Sequence, residues 1–383
     1  MRVAVLGGGP AGAFAAERLA SAGVNTVVID EKLAWEKPCG GGVTYKAYNE
    51  YPFLVENDTP KRFVTETNLA APHAGEVSLL LDHPLIIYSR KRLNGLLLHR
   101  AEAAGAQIEQ TRVTGIARNG VKWRIATRNG AIDADHCILA MGARNPLRDY
   151  GTQLSSCDTM FALGYYVPGE QLGIDIQFLP ELAGYIWVFP RCGHMSVGIC
   201  GKGESAGSLR KRLEAYMQTR GLNFAGAEFY SHVLPCLDTP AWKRNRVAGD
   251  GWTAVGDAAG LVDPITGEGL YYALRSADLA TRAFLTGTCY PSLLRRNFTQ
   301  DLERASQLAR RIFHGSFLFG RVPARMVQFT RRSPHFKHTV QDLFAGTQPY
   351  STLKTRLLKN LPASLWEMAA GGAGPWPAQK HHE

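Results

Sequence analysis

The chain begins with a short apolar run, Val3 to Leu6, that leads directly into three glycines. A segment over residues 10–22 then has the apolar spacing of a helix, and a second apolar run follows over 26–29. This pattern predicts a buried strand, a glycine turn, a helix and a second strand, as at the start of a doubly wound parallel sheet. Further elements of the same unit are predicted as a helix over 91–104 and strands over 107–114, 122–127 and 131–138.

The pattern changes twice farther along the chain. Residues 152–240 predict mostly strands, with one helix over 208–219, which is typical of an antiparallel sheet. From Pro291 onward, apolar residues recur at helical spacing. The predicted stripe consists of Leu294, Phe298, Leu302, Ala305, Ala309 and Ile312. The sequence therefore predicts an inserted sheet followed by a helical C-terminal region.

The composition of the chain indicates a two-domain protein without a membrane span or a metal site. The chain has 383 residues, 45% of them hydrophobic, which is enough for two closely joined domains. No apolar run reaches the roughly 18–20 residues of a membrane span. The 7 cysteines show no paired spacing, so we predict no metal site, and reduced thiols of this kind are typical of the cytosol. We therefore predict a cytoplasmic location, with peripheral attachment to a membrane as an open alternative.

The formal net charge of +10 is concentrated late in the chain. Between Arg295 and Lys337 there are ten Lys and Arg residues, against only Asp301 and Glu303. Four explanations stay open: a solvated helix face, an anionic lipid surface, a diphosphate substrate or an acidic partner protein. No nucleic-acid-binding module accompanies the charge, so we do not expect a nucleic acid as partner.

Two glycine-rich segments carry the chemistry. In the first, Gly7 permits a sharp turn, Gly9 lets the backbone approach a pyrophosphate, and Gly12 lets the helix pack on the strand. The helix N-terminus then faces the phosphates, and Asp30 ends the second strand where a carboxylate binds ribose hydroxyls. The predicted contacts here are Gly7, Gly9, Ala11, Gly12, Asp30 and Glu31. The second segment is Gly256-Asp257-Ala258-Ala259-Gly260, with Pro264 and Gly267-Glu268-Gly269 after it. The pair predicts that two distant segments bind one FAD.

This order of motifs, with Arg90 before a helix, resembles the flavoprotein superfamily that includes p-hydroxybenzoate hydroxylase. Within it, three segments resemble the geranylgeranyl reductase family: Lys-Pro-Cys-Gly-Gly-Gly at 37–42, Gly-Tyr-Ile-Trp-Val-Phe-Pro at 184–190, and a helical C-terminus with Gly-Thr-Gln-Pro-Tyr at 346–350. The resemblance implies non-covalent FAD. It assigns Arg90 to the pyrophosphate region, Asp257 to the ribitol chain and Pro264 to Gly269 to the isoalloxazine, and we add Gly142 to the cofactor contacts.

The predicted fold is thus α/β: a Rossmann-type FAD-binding domain, an inserted antiparallel β-sheet substrate domain and a helical C-terminal region. The FAD-binding domain would cover 1–150, interrupted around 40–85, and continue over 244–290. The substrate domain would cover 151–243, and the helical region 291–383.

Four residues are the predicted catalytic set. Tyr185 and Trp187 alternate with Phe189 on one side of a strand, as an aromatic wall for a flat or isoprenoid substrate or as ordinary sheet core. Cys39 is a proton donor, a substrate contact or an inert small residue. Glu268 is a general acid or a charge that balances the helix dipole.

The resemblance favours reduction of carbon–carbon double bonds in an isoprenoid or lipid substrate. The main alternative is an FAD-dependent monooxygenase that hydroxylates an aromatic, natural-product or protein-borne substrate, and a third is an electron-transfer partner. The hydroxylases carry Asp-Gly where this chain has Met141-Gly142, which argues against direct use of NADPH. The electron donor, NAD(P)H or a reduced protein or flavin, stays open. Flavin halogenases carry a catalytic lysine after their first strand pair, in a different sequence context from residues 37–39 of this chain. The resemblance therefore disfavours a halogenase.

Overall fold

A computed structural model describes residues 1–145, 147, 150–151 and 154–370. The strands are β1 Arg2–Leu6, β2 Asn25–Ile29, β3 Gly42–Val43, β4 Lys61–Ala71, β5 Gly75–Tyr88, β6 Gln107–Glu109, β7 Val113–Asn119, β8 Lys122–Thr127, β9 Gly130–Ala134, β10 His136–Leu139, β11 Thr159–Pro168, β12 Ile174–Phe178, β13 Ala183–Pro190, β14 His194–Lys202, β15 Glu228–Pro235, β16 Ala248–Gly249, β17 Trp252–Ala254, β18 Ser316–Phe317 and β19 Gly320–Arg321. The helices are α1 Pro10–Ser21, α2 Tyr45–Glu50, α3 Arg90–Ala103, α4 Ala206–Thr219, α5 Thr239–Arg244, α6 Leu270–Thr286, α7 Tyr290–Leu294, α8 Gln300–His314, α9 Val322–Arg332, α10 Pro334–Ala345 and α11 Tyr350–Ala370. Residues 371–383, the end of the predicted helical region, lie outside the described residues.

The first sheet is the predicted Rossmann core. Its strand order is β16-β17-β10-β1-β2-β6, and β17, β10, β1, β2 and β6 run parallel. Helix α1 packs on β1 and β2, with α3 and α6 beside it, and the three-stranded sheet β7-β8-β9 contacts β1 and β10. The inner strands are therefore apolar throughout, and residues Val3 to Leu6 are fully buried. The predicted order of β1, α1 and β2 is confirmed to within one residue at each boundary.

The turn between β1 and α1 requires glycine for two separate reasons. Gly7 has a φ of +111°, and a Cβ there would lie 2.4 Å from the carbonyl oxygen of Ala140. A Cβ on Gly12 would lie 1.9 Å from the carbonyl oxygen of Gly7. These two residues set the close packing of helix on strand, while Gly9 remains open to the space in front of the helix.

The second sheet has the order β15-β11-β14-β13-β12-β4-β5-β3 and is largely antiparallel. It includes the predicted strands of the 152–240 segment. It also takes in the long hairpin β4–β5 from the earlier interruption, because β4 pairs in parallel with β12. Helix α4 covers one face of the sheet, and its Leu209, Leu213 and Met217 are fully buried there.

The C-terminal helices lie against the other face of this sheet. The predicted apolar stripe is buried at Leu294, Phe298, Leu302 and Ala305. Between α7 and α8, residues Arg295–Thr299 form a π-helical turn, which the apolar spacing did not predict. Helix α10 packs on β5, so the helices and the sheet enclose a space between them.

Candidate active site

One large cavity, of about 1040 Å³, lies where the two sheets and the C-terminal helices meet. The segments after β1, β2, β10 and β17 line one end of it, at the carboxyl edge of the parallel sheet, where ligands of such folds bind. The other end is lined by the antiparallel sheet and by α8 to α11. A typical pocket for one small molecule has about 300–1,000 Å³, so this cavity lies at the upper end of that range, and it extends from the edge of the parallel sheet to the C-terminal helices.

The dinucleotide end is organised around Asp30. One carboxylate oxygen accepts the backbone N–H of Gly8 at 2.7 Å, and the other accepts those of Lys32 at 2.7 Å and Leu33 at 2.9 Å. Asp30 lines the cavity beside Gly9 and therefore fixes the glycine turn as well as facing a ligand. The neighbouring Glu31 does not line the cavity, because its carboxylate points outward to Arg112 and Arg128.

Arg90 supplies the cation of this end. It is 4% exposed, lines the cavity, and its Nε has no hydrogen-bond partner among the described residues. An unpartnered buried guanidinium N–H is costly unless a ligand accepts from it. A pyrophosphate is the kind of group that a guanidinium binds best, so the residues at this end fit a flavin dinucleotide.

Asp257 lines the cavity after β17 and pairs with Lys37, whose Nζ lies 3.2 Å from a carboxylate oxygen. Burial alone would raise the pKa of Asp257, but the charge of Lys37 lowers it overall. His232 lies in the same part of the cavity, and burial followed by the Lys37 charge lowers its pKa to about 3. This region therefore presents a carboxylate, a cation and a neutral imidazole.

The segment 263–269 forms a tight turn in front of α6. The Asp263 carboxylate accepts the N–H of Ile265 at 2.8 Å and the hydroxyl of Tyr350 at 2.8 Å, which ties the turn to the start of α11. Glu268 accepts the N–H of Tyr271 at 2.8 Å and thereby caps α6. Burial raises the pKa of Glu268 to about 7, so its carboxyl can hold a proton near neutral pH.

The aromatic wall of Tyr185, Trp187 and Phe189 faces the cavity, as the alternation on β13 predicts. The hydroxyl of Tyr185 donates to the carbonyl of Thr266, so the wall touches the 263–269 turn directly. Trp187 lies across Gly198 of β14, where a Cβ would come within 2.3 Å of the indole. The wall thus joins the 263–269 turn to the antiparallel sheet.

The loop 37–42, which we call the glycine loop, packs on the same wall. Cβ atoms on Gly40 and Gly42 would lie 3.2 and 3.0 Å from the Phe189 ring. Cys39 lines the cavity, and its sulfur accepts the N–H of Gly41 at 3.3 Å. Its carbonyl accepts from the buried Arg191 and, at 3.1 Å, from the Ser196 hydroxyl.

The structure therefore brings together most of the residues that the sequence predicted. The predicted residues that line the cavity are Gly9, Ala11, Asp30, Cys39, Arg90, Gly142, Tyr185, Trp187, Asp257, Gly267, Glu268 and Gly269. Gly7, Gly12, Glu31 and Pro264 do not line it. Sequence reasoning missed Lys37, Lys46, Arg144, Arg191 and His232, although Lys37 belongs to a motif that was already of interest.

These features are those of a dinucleotide-binding fold with a second, apolar compartment beside the dinucleotide end. The family model of pyridine nucleotide-disulphide oxidoreductases matches residues 1–152. The chloroplastic geranylgeranyl diphosphate reductase of Oryza sativa subsp. japonica is 30% identical over 333 residues, covering 75% of this chain and 67% of that protein. The chain belongs to the geranylgeranyl reductase family of FAD-binding oxidoreductases.

Solved structures agree on the fold. A geranylgeranyl bacteriochlorophyll reductase-like protein from Thermoplasma acidophilum superimposes with a TM-score of 0.76 at 20% identity, covering 97% of this chain and 98% of that one. A flavin-dependent brominase superimposes with a TM-score of 0.70 at 15% identity, covering 95% and 100%. At such identities the likeness concerns the fold alone.

Two kinds of feature are absent from the described residues. No helix over 1–145 or 154–370 is long and apolar enough to cross a membrane. Over the same residues, no group of His, Cys, Asp and Glu side chains is placed to hold a metal ion.

Proposed function

We propose that this protein uses FAD to saturate carbon–carbon double bonds of an isoprenoid chain. The observation that carries the proposal is the continuity of one cavity, from the dinucleotide-binding turns to an apolar compartment behind the aromatic wall. The rice relative is a geranylgeranyl diphosphate reductase, which supports an isoprenoid substrate for this protein as well.

The apolar compartment suits a long hydrocarbon chain. Its lining comes from both the sheet and the C-terminal helices, and consists of Leu69, Leu85, Ile176, Phe178, Leu234, Ile312, Phe313, Met326, Val340, Leu343 and Phe344. Burial of a methylene group contributes about 0.8 kcal/mol, so a prenyl chain gains affinity from length alone. The wall then limits which double bond lies nearest to the 263–269 turn.

When bound in its reduced form, FAD would supply a hydride, that is two electrons and one proton, to one carbon of the double bond. A protein acid must then supply a proton to the other carbon. Cys39 lies beside the wall and lines the cavity, and its sulfur accepts the Gly41 N–H at 3.3 Å. Glu268 is the second candidate, because its raised pKa keeps a proton available. We assign the proton to Cys39 and the capping of α6 to Glu268, since the Glu268 carboxylate already binds the Tyr271 N–H.

A head group of negative charge fits the same cavity. Arg295, Arg296 and Arg304 all line it, and none of them has an acidic partner among the described residues. Asp301, which lies between them in sequence, accepts the backbone N–H groups of Tyr350 and Ser351 and is occupied there. A diphosphate would meet cations at this position, whereas a neutral quinone would leave them unused.

The electron donor is a protein or free flavin in our proposal, with NADPH reducing the bound FAD slowly. The reason is Met141 at the position where the hydroxylases carry an aspartate. Rapid mixing of the FAD-loaded protein with NADPH tests this. Bleaching of the flavin on the scale of about 10 per second, accelerated by substrate, would contradict it.

The reaction is tested by incubating the reduced protein with geranylgeranyl diphosphate with and without oxygen, followed by mass spectrometry of the prenyl product. We expect a saturated product that forms without oxygen. A hydroxylated product that requires oxygen would establish the monooxygenase alternative instead.

Two variants connect the reaction to the site. Trp187→Ala should lower turnover at least about tenfold while FAD stays bound, because the substrate is no longer held close to the cofactor. Ile186→Ala is the matched control, since Ile186 is fully buried on the opposite face of the same strand, against the α4 side.

Cys39→Ser should slow turnover because a hydroxyl is a weaker acid than a thiol. Normal turnover in both Trp187→Ala and Cys39→Ser would make these residues structural.

A further inference from the structure

A small hairpin between α8 and α9 presents large apolar side chains to solvent. Strands β18 and β19 pair Ser316 with Arg321 and Phe317 with Gly320, which leaves Leu318 and Phe319 as the turn. Leu318 is 43% exposed and Phe319 is 105% exposed, so the phenyl ring of Phe319 contacts almost nothing in the chain. Solitary exposed apolar residues are common, but two adjacent ones at a hairpin tip are not explained by packing.

The backbone of this turn is held in an unfavourable conformation. Leu318 has a φ of +47° and Phe319 a φ of +61°, in the region that two-residue hairpin turns normally fill with Asn-Gly. Bulky residues avoid this region, so the turn costs stability and persists only where its surroundings impose it. The residues at the tip are therefore not those that would best form the turn.

Neighbouring residues fix the hairpin rigidly. The guanidinium of Arg325 donates to the Leu318 carbonyl at 2.6 Å and lies so close to Gly320 that a Cβ there would be 2.5 Å from its Nε. The Phe317 ring packs against Phe329, with ring centroids 6.0 Å apart. The hairpin base is thus anchored on α9, while the tip projects away from the protein.

Basic residues flank the hairpin in sequence. Arg310 and Arg311 are exposed on the last two turns of α8, and Arg321 follows the hairpin. Arg321 pairs with Glu181, whereas no acidic side chain of the described residues pairs with Arg310 or Arg311. An apolar tip flanked by exposed arginines complements an anionic lipid bilayer, in which apolar side chains enter the acyl boundary and arginines meet the head groups.

The hairpin also lies next to the substrate compartment. Ile312 and Phe313, immediately before it, and Met326, shortly after it, line the apolar end of the cavity. A membrane bound at the tip would bring lipid close to these residues. Docking at this point therefore suits a protein whose substrate is carried by a bilayer.

We propose that the hairpin tip Leu318-Phe319, with Arg310 and Arg311, is a docking point for an anionic membrane surface. The proposal concerns binding and does not depend on the reaction that the cavity carries out. One apolar element with a basic patch gives reversible attachment rather than permanent insertion.

The test is co-sedimentation of the full-length, FAD-loaded protein with vesicles of phosphatidylcholine alone or mixed with phosphatidylserine. We expect binding only to the mixed vesicles, weakened by salt. The double variant Leu318→Asn with Phe319→Gly should bind at least about tenfold less well, because the apolar tip is lost. Since Asn-Gly favours this turn, the variant should be at least as stable as the wild type, so misfolding does not confuse the result.

Val121→Ser is the matched control, because Val121 is 87% exposed at the tip of a different hairpin, β7–β8. This variant should leave binding unchanged. Arg310→Gln and Arg311→Gln should each weaken binding by on the order of fivefold. Failure of the wild type to bind mixed vesicles, or unchanged binding of the double variant, would overturn the proposal. Concentration-dependent dimers in light scattering, abolished by the double variant and without vesicle binding, would instead make the tip a contact between two copies.

Discussion

Replacement of Arg191 by methionine tests how the glycine loop is held beside the cavity. Arg191 is fully buried, pairs with Glu36, and donates to the Cys39 carbonyl. Methionine has a comparable length but no charge, so Glu36 would stay partly buried without its cation. Removal of one partner from a buried ion pair typically costs about 3–5 kcal/mol of stability.

The lower end of that range applies here, because Glu36 keeps other donors. The hydroxyl of Ser89 lies 2.5 Å from one carboxylate oxygen and the N–H of Arg90 lies 2.8 Å from the other. Burial alone would raise the pKa of Glu36, while Arg191 and these hydrogen bonds hold it below its usual value. We therefore expect Arg191→Met to lose about 3 kcal/mol of the free energy of unfolding, a large share of the total of about 5–15 kcal/mol.

Urea unfolding at saturating FAD, followed by tryptophan fluorescence, measures this loss. Arg124→Met is the control, because Arg124 forms an exposed pair with Asp133 and should unfold like the wild type. The double variant Arg191→Met with Glu36→Gln should recover part of the loss, since no unpaired charge remains. Wild-type stability in Arg191→Met, or a double variant no better than the single one, would refute this account of the loop.

Two further predictions concern the cofactor and the proton. Asp30→Ala should weaken FAD retention by on the order of 1–3 kcal/mol, measured by ultrafiltration, whereas Glu31→Ala should not, because only Asp30 lines the cavity; equal losses in both would show that Asp30 does not bind the cofactor. Because burial raises the pKa of Glu268 from 4.5 to about 7, the folded FAD-free protein binds more protons than the unfolded chain between these pH values. Its stability relative to Glu268→Gln should therefore fall by on the order of 1–3 kcal/mol as the pH rises from 4 to 8, and parallel pH profiles of the two proteins in urea unfolding would contradict the shift.

The sequence was sufficient to predict those features that depend on neighbouring residues alone, such as turns and the alternation of side chains along a strand. The turn at Gly7 and Gly12 and the alternation of Tyr185 and Trp187 follow from steric limits and from strand geometry, and the structure has the corresponding strand, helix and cavity-facing wall. The FAD-binding fold and the reductase family are confirmed by the comparisons. The assignment of individual residues to the cofactor and to catalysis remains a prediction.

The features that sequence reasoning missed depend on contacts between distant segments. The hairpin β4–β5 joins the second sheet only through its pairing with β12. Lys37 meets Asp257 across 220 positions of sequence, and Arg191 meets Glu36 across 155. A single charged residue in a loop or at a strand end carries no periodic signal, so its partner cannot be inferred from spacing.

The central claim is that one cavity holds FAD together with an isoprenoid double bond. Anaerobic mixing of the dithionite-reduced, FAD-loaded protein with geranylgeranyl diphosphate tests it most directly, with the flavin absorbance followed in time and the product analysed by mass. The account predicts that the yellow colour of oxidised FAD returns without oxygen. For each flavin oxidised, the substrate should gain the mass of two hydrogen atoms at one double bond. A flavin that stays reduced, with the substrate unchanged, would contradict it.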